Sequence, residues 1–176
     1  FDSDRVETLT FDSYGTLVDV AAVETALAEV EGVADPEPVS NHWRSRSLMY
    51  TMVANAIDAY QPFYELNRAA LTHALAAHGI ETDAAERDAV LETYHELDVF
   101  DDVRDGITEL AETYDCYVVS NGNPEMLSSM VDEAGIGGVI EGTISADEVE
   151  TFKPDTEIYR HAAARTGTPI DRIAHV

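Results

Sequence analysis

Three groups of polar residues each follow a short apolar run. Val6-Glu7-Thr8-Leu9-Thr10-Phe11 leads into Asp12-Ser13-Tyr14-Gly15-Thr16-Leu17-Val18-Asp19. Cys116-Tyr117-Val118-Val119 leads into Ser120-Asn121-Gly122, and Val139 to Ser145 leads by a short loop into Lys153-Pro154. Together they offer a carboxylate, hydroxyls, an amide and an ammonium. Taken singly, a strand-end Asp is often a turn or cap residue, and Ser-Asn-Gly is often only a turn. Brought together at matching ends of one parallel sheet, the three groups make a nucleophile with electrophilic support, the set that covalent catalysis needs. Lys153 adds weight because it is the only lysine beside nine arginines.

The elements that would position these groups can be read from periodicity. The first apolar run is β-rich, and Gly15 soon after Asp12 marks a turn at the strand's end. From Ala21 to Leu97 the pattern is helical. Val23, Leu27 and Val30 share a face in a helix that Gly32 ends. Further helices are expected from Ser40 to Tyr60, from Phe63 to His78 and from Asp83 to Leu97, the last with Val90, Tyr94 and Leu97 on one stripe. After Asp98 helices alternate with short apolar strands. Ile107, Leu110, Ala111 and Tyr114 suit a helix. Asn123 reads as the N-cap of a helix with Pro124 at its first position and Met126, Met130, Val131 and Ala134 on its buried face. Pro154 opens a helix closed by Gly167, and Ile173 to Val176 begins a last strand. This order predicts an α/β protein, a three-layer Rossmann-like parallel sheet with an inserted all-helical cap. Residues 1–20 and 98–176 would form the core and residues 21–97 the cap, lying by the strands' carboxyl ends where open α/β sheets bind ligands.

Composition narrows the partners. With 35 Asp plus Glu against 10 Lys plus Arg, the net charge is −25. Such a surface repels nucleic acid and anionic membranes. It suits a halophile's protein, since molar salt shortens the Debye length to about 3 Å and removes self-repulsion. No apolar run approaches the roughly 18 residues of a membrane span, and the first residues of the sequence, polar and acidic, do not read as a secretory signal. One cysteine, Cys116, rules out an internal disulfide and suits a reducing cytoplasm; it reads as a small buried strand residue. The six histidines lack metal spacing, His73 and His78 being five apart. The chain starts at Phe1 without Met and stops at Val176 inside an expected strand, which reads as part of a longer chain.

Phe11-Asp12-Ser13-Tyr14-Gly15-Thr16-Leu17 followed by Asp19 resembles the first motif of the haloacid dehalogenase superfamily. Ser120-Asn121-Gly122 is similar to its second motif and Lys153-Pro154-Asp155 to its third, and the helical block matches its inserted cap. Position 14 separates the branches. Phosphatases of the superfamily carry a second Asp there as general acid for the leaving alkoxide. Tyr14 does that work poorly at neutral pH, whereas halide leaves without a proton. The chain therefore resembles the branch that dehalogenates (S)-2-haloacids.

That resemblance implies a mechanism. Asp12 would attack Cα of a small 2-haloacid, release halide, and carry an ester that water hydrolyses to the 2-hydroxyacid. Lys153 would hold Asp12 ionised and oriented. Ser120, Thr16 and backbone N–H groups would bind the substrate carboxylate, and Arg44 (in His42-Trp43-Arg44) with Asn121 would receive the halide. Tyr14, Phe63 and Tyr64 would line the pocket, and Tyr159 matches an active-site tyrosine. No metal or other cofactor is implied; magnesium would enter only for the alternative, a phosphatase of the same fold. A catalytically silent protein retaining the fold is the other alternative. The family's fourth motif, an acid after the last strand, would lie beyond Val176. Members are often dimers, which leaves a homodimer open.

Overall fold

The computed structural model describes residues 5–176; the reading of the N-terminal residues 1–4 lies outside them. The chain divides into two compact units, one of residues up to Asp19 with Asp98–Val176, the other of Val20–Leu97.

The first unit is built on four parallel strands in the order β3-β2-β1-β4. They are β1 (Thr8–Phe11), β2 (Asp115–Ser120), β3 (Gly142–Ser145) and β4 (Ile173–His175). β1 is central, with Phe11 beside Val118 on one side and Thr10 beside His175 on the other. All four β1 residues are buried, and such a strand takes β-branched or apolar side chains on both faces. Its buried hydroxyls are satisfied locally: Thr8 Oγ1 lies 2.7 Å from Thr168 Oγ1. Parallel strands need crossovers, here supplied by helices. These are α5 (Val103–Ala111), α6 (Pro124–Ala134) and α7 (Thr156–Thr166); α1–α4 belong to the other unit. Where the insertion leaves β1 and returns, Val18 and Val99 form an antiparallel bridge. Asp19 N–H donates to Asp98 O at 2.7 Å, and Phe100 N–H to Leu17 O at 3.2 Å.

Several boundaries differ from those the sequence suggests. β3 starts at Gly142, because the N–H groups of Val139 and Ile140 turn back to Ile136 O. α7 begins after Pro154, with Asp155 as its cap accepting from Glu157 N–H at 2.9 Å. Asn123 precedes α6 but makes no side-chain cap; its Nδ2 donates to Asp147 Oδ2 at 2.7 Å. Within α6, Leu127 is buried, while Val131 is only half-buried. α5 stops at Ala111, and Tyr114 lies beyond it.

The second unit holds α1 (Val23–Ala28), α2 (Pro36–Ile57), α3 (Phe63–Ala77) and α4 (Ala84–Glu92). α1 ends before Gly32. α2 begins at Pro36 rather than Ser40, since a proline in the first turn has an N–H-less nitrogen where none is needed. It ends at Ile57, followed by Asp58 in the left-handed region. α4 is capped by the reciprocal Asp83–Glu86 box and gives way to a 3-10 turn at Thr93–His95. Trp43 of α2 is fully buried, its Nε1 donating to Asn67 O at 2.9 Å. Its ring meets Tyr94 edge-on at 5.4 Å, and burial pushes the Tyr94 phenol up to about 12.

Beyond Trp43, α2 is inside-out. Ser47, Thr51 and Ala54 face inward, while Leu48, Met49, Met52, Val53 and Ile57 lie outward at 39–66% exposure. Ser47 Oγ donates to Asn67 Oδ1 at 2.7 Å, so polar groups occupy the face that a helix normally fills with apolar ones. Among the described residues, no helix is long and apolar enough to cross a membrane.

Candidate active site

Asp12 is delivered by β1. Its N–H donates to Val176 O at 2.8 Å, carrying the sheet pairing one residue past the strand. The chain then turns tightly: Leu17 N–H and Val18 N–H both donate to Ser13 O, at 2.8 and 3.2 Å. Gly15 takes φ +86, which L side chains rarely adopt. Thr16 is half-buried within this turn.

β2 delivers Ser120 and Asn121 beside that turn. Ser120 is fully buried, its Oγ 2.6 Å from Ser13 Oγ. Gly122 follows in close contact with Tyr14: a Cβ there would lie 2.9 Å from Tyr14 Cε2 and 3.0 Å from its hydroxyl oxygen. Any side chain at 122 would displace the Tyr14 ring. Gly122 O accepts from Ser145 Oγ at 2.7 Å, which links this loop to the end of β3.

Lys153 reaches the same place from β3. Phe152, fully buried, anchors the loop. Lys153 N–H donates to Asn121 Oδ1 at 2.7 Å. Its Nζ donates to Asp12 Oδ1 at 2.5 Å and to Val119 O at 2.7 Å. The lysine side chain is 12% exposed and that of Asp12 33%. Burial pushes the ammonium below the ordinary lysine range, although Asp12 works in the opposite direction. The loop is tied to α7 through Glu148, which pairs with His161 at 2.8 Å and with Arg165. Burial pushes Glu148 up, but His161, Ser145 N–H and Arg165 outweigh it and hold the carboxyl below its usual range.

Tyr159 on α7 completes the group. Its phenol is pushed up by burial and by the Asp12 charge. Its ring meets that of His175 at 5.4 Å. His175 Nδ1 lies 3.0 Å from Thr10 Oγ1 and 3.1 Å from Thr10 O. Burial and then Lys153 push this imidazole down, against the pull of Asp12. A groove of about 640 Å³ between β4 and α7 is lined by Thr10, Tyr159 and His175 but by neither Asp12 nor Lys153, so its volume does not locate the chemistry.

The chain matches the haloacid dehalogenase-like hydrolases over residues 6–176. It belongs to that family. Among relatives of this hydrolase, (S)-2-haloacid dehalogenase 4A of Burkholderia cepacia is 32% identical over 174 residues, spanning 98% of this chain and 75% of that protein. The (S)-2-haloacid dehalogenase of Pseudomonas sp. strain YL is 30% identical over 172 residues, spanning 97% and 73%. The solved L-2-haloacid dehalogenase of Xanthobacter autotrophicus with chloropropionic acid covalently bound superposes with a TM-score of 0.89 at 27% identity, over 97% of this chain and 69% of that one.

In this haloacid dehalogenase-like hydrolase, Asp12, Tyr14, Thr16, Ser120, Asn121, Lys153 and Tyr159 all belong to the sheet unit. The other residues singled out from the sequence lie in the helical unit. Arg44 Nη2 donates to Asn41 Oδ1 at 2.7 Å and lies 3.8 Å from Glu24 Oε1. Phe63 opens α3 half-buried. Tyr64 donates its hydroxyl to Glu92 Oε1 at 3.2 Å, with the Arg68 guanidinium 5.4 Å over its ring. His42 stands 5.4 Å from His73 and 5.5 Å from His78, ring to ring. No group of three such side chains among the described residues could hold a metal ion. Sequence reasoning passed over Ser13, His175 and the Val119 carbonyl. A hydroxyl next to the nucleophile was the one available signal for Ser13; the other two depend on which strands lie side by side.

Proposed function

We propose that this hydrolase cleaves the carbon–halogen bond of small 2-haloacids, through an ester on Asp12. The observation that carries the reading is the Lys153 ammonium on Asp12 Oδ1. It supports an ionised, oriented carboxylate and leaves Oδ2 as the attacking oxygen. Attack at Cα expels halide with its bonding electrons, and no proton is required. Water then adds at the ester carbonyl, releasing the 2-hydroxyacid and restoring Asp12. Asn121 Oδ1 is occupied by Lys153 N–H, so the rest of that amide is a donor, the type of group a leaving halide needs. Thr16 and Ser120 with backbone N–H groups serve the substrate carboxylate, Arg44 serves the halide, and Tyr14, Phe63, Tyr64 and Tyr159 shape the pocket. A magnesium ion fits poorly here, since position 14 carries Tyr rather than a second carboxylate.

Bromide release from L-2-bromopropionate, followed in molar KCl with EDTA, tests the reading. Steady release supports it in full. A single burst stoichiometric with the enzyme supports attack by Asp12 without clearance of the ester. No release overturns it. We also read the acidic surface as adapted to high salt. Melting temperature should then rise from low to molar KCl, and an unchanged value would count against it.

We further propose that two copies pair through the outer face of α2. Leu48–Ile57 contains no charged residue in a chain of net charge −25, so this stretch can meet its twin without like-charge repulsion. Its exposed apolar side chains supply the contact. Light scattering in molar KCl, which screens the repulsion between two acidic chains, should give a dimer for the native chain and a monomer for Met52→Glu. A native monomer would sink the proposal.

A further inference from the structure

Two buried hydroxyls beside the nucleophile present a proton-counting problem. Ser13 and Ser120 are both 0% exposed, with their Oγ atoms 2.6 Å apart. Ser120 Oγ also accepts from Gly122 N–H at 3.1 Å. Among the described residues neither hydroxyl has another partner. Each hydroxyl carries one proton and two lone pairs. The bond between them uses one of the two protons, and the other has no acceptor in the described protein. Both residues are 0% exposed, so bulk water does not take that proton.

The direction of the bond decides which serine keeps the available proton. If Ser120 donates, the leftover proton is on Ser13, directly after Asp12 and beneath the turn that closes on its own carbonyl. If Ser13 donates, Ser120 accepts twice, from Ser13 and from Gly122, and becomes purely a donor. Hydrogen bonds in series polarise one another, so a hydroxyl that accepts twice donates more strongly. A 2-haloacid brings a carboxylate, which only accepts.

We propose that Ser13 is a positioning residue that donates to Ser120 and thereby directs the Ser120 proton to the substrate carboxylate. This rests on the dehalogenase reading above. Ser13 touches no substrate atom; it fixes the orientation and donor strength of the residue that does.

The test combines steady-state kinetics with calorimetric binding of L-lactate, an unreactive 2-hydroxyacid, in wild type, Ser13→Ala, Ser120→Ala and the double variant. Ser13→Ala should raise KM and the lactate Kd roughly two- to fourfold, the scale of weakening one hydrogen bond to a charged group rather than losing it, with kcat changed less. In the Ser120→Ala background, Ser13→Ala should add nothing further, because its effect passes through Ser120. Unchanged KM and Kd in Ser13→Ala, even with a lower melting temperature, would make Ser13 merely structural and overturn the proposal. Equal losses in both backgrounds would overturn it too, as would a wild type that binds no lactate. Bromide release by the wild type separates failure of this proposal from failure of the dehalogenase reading.

Discussion

Asp12→Asn should abolish steady bromide release, lowering kcat by at least about 10⁴-fold, the scale seen when a covalent nucleophile is removed. The substitution is nearly isosteric, so the sheet pairing of residue 12, which uses its backbone N–H to Val176 O, survives. What is lost is the anionic oxygen. An amide is a weak nucleophile toward carbon, and its remaining carbonyl oxygen can still accept from Lys153 Nζ. A cost in stability is also expected. The Lys153 side chain is 12% exposed and Asp12 is its counter-charge, and a buried cation without its partner is unfavourable. A melting temperature a few degrees lower, with unchanged circular dichroism, would fit this account. Substantial turnover in Asp12→Asn, measured by bromide and hydroxyacid together, would move the nucleophile elsewhere.

Lys153→Met should lower kcat by roughly 10²–10³-fold, the usual cost of removing one preorganised electrostatic contact from a reacting centre. Methionine fills much of the same buried volume, but it offers no donor to Asp12 Oδ1 or to Val119 O. The native enzyme should reveal the same group through its pH profile. Burial pushes Lys153 below the ordinary lysine range. Its active, protonated form is therefore present at lower pH and is lost as pH rises through that lowered pKa. The alkaline limb of kcat should fall at a lower pH than free lysine would give, and it should disappear in Lys153→Met. Stability should move the other way. A lysine whose folded pKa is depressed disfavours folding while it is charged. That penalty lifts as pH rises from the folded pKa towards the unfolded one. Tyr94 and Tyr159, whose phenols burial pushes up, lower stability over the same range. The Lys153 contribution is therefore read as the melting temperature of the native enzyme relative to Lys153→Met, a difference that should rise through one alkaline series while kcat falls. A flat difference between the two proteins, with the limb of kcat persisting in Lys153→Met, would mean that Lys153 does not set the limb.

Much of this was written locally in the chain. The β-branched and apolar run before Asp12 is what a central parallel strand requires, and Gly15 at φ +86 marks the turn after it. Tyr14, in place of a second acid, narrows the chemistry from a single position. Lys153 stood out because the composition had almost dispensed with lysine. The strand, turn and lysine signals need no knowledge of neighbours, because each depends on a residue's own conformational or chemical character, whereas Tyr14 speaks through the resemblance to a superfamily whose phosphatases carry an acid there.

Other features depended on the packing of elements far apart in sequence. Lys153 meets Asp12 across 141 residues, and Ser13 meets Ser120 across 107. Strand order and register set such pairs, and no local pattern encodes them; a one-residue slip of β2 would turn Ser120 to the other face. Cap chemistry was decided in the same way. Asn123 holds the N-cap position of α6 that the sequence indicates, but its side chain bonds Asp147 instead of the helix start. The helix that Pro154 is expected to open begins two residues later, capped by Asp155. In α2 the inward face after Trp43 holds Ser47, which finds an acceptor in Asn67 of α3, and Thr51, which donates back to Leu48 O of its own helix. Sequence alone therefore determined which residues could do the chemistry. The tertiary structure decided which of them share a hydrogen bond, because only packed strands and helices bring donors and acceptors within about 3 Å.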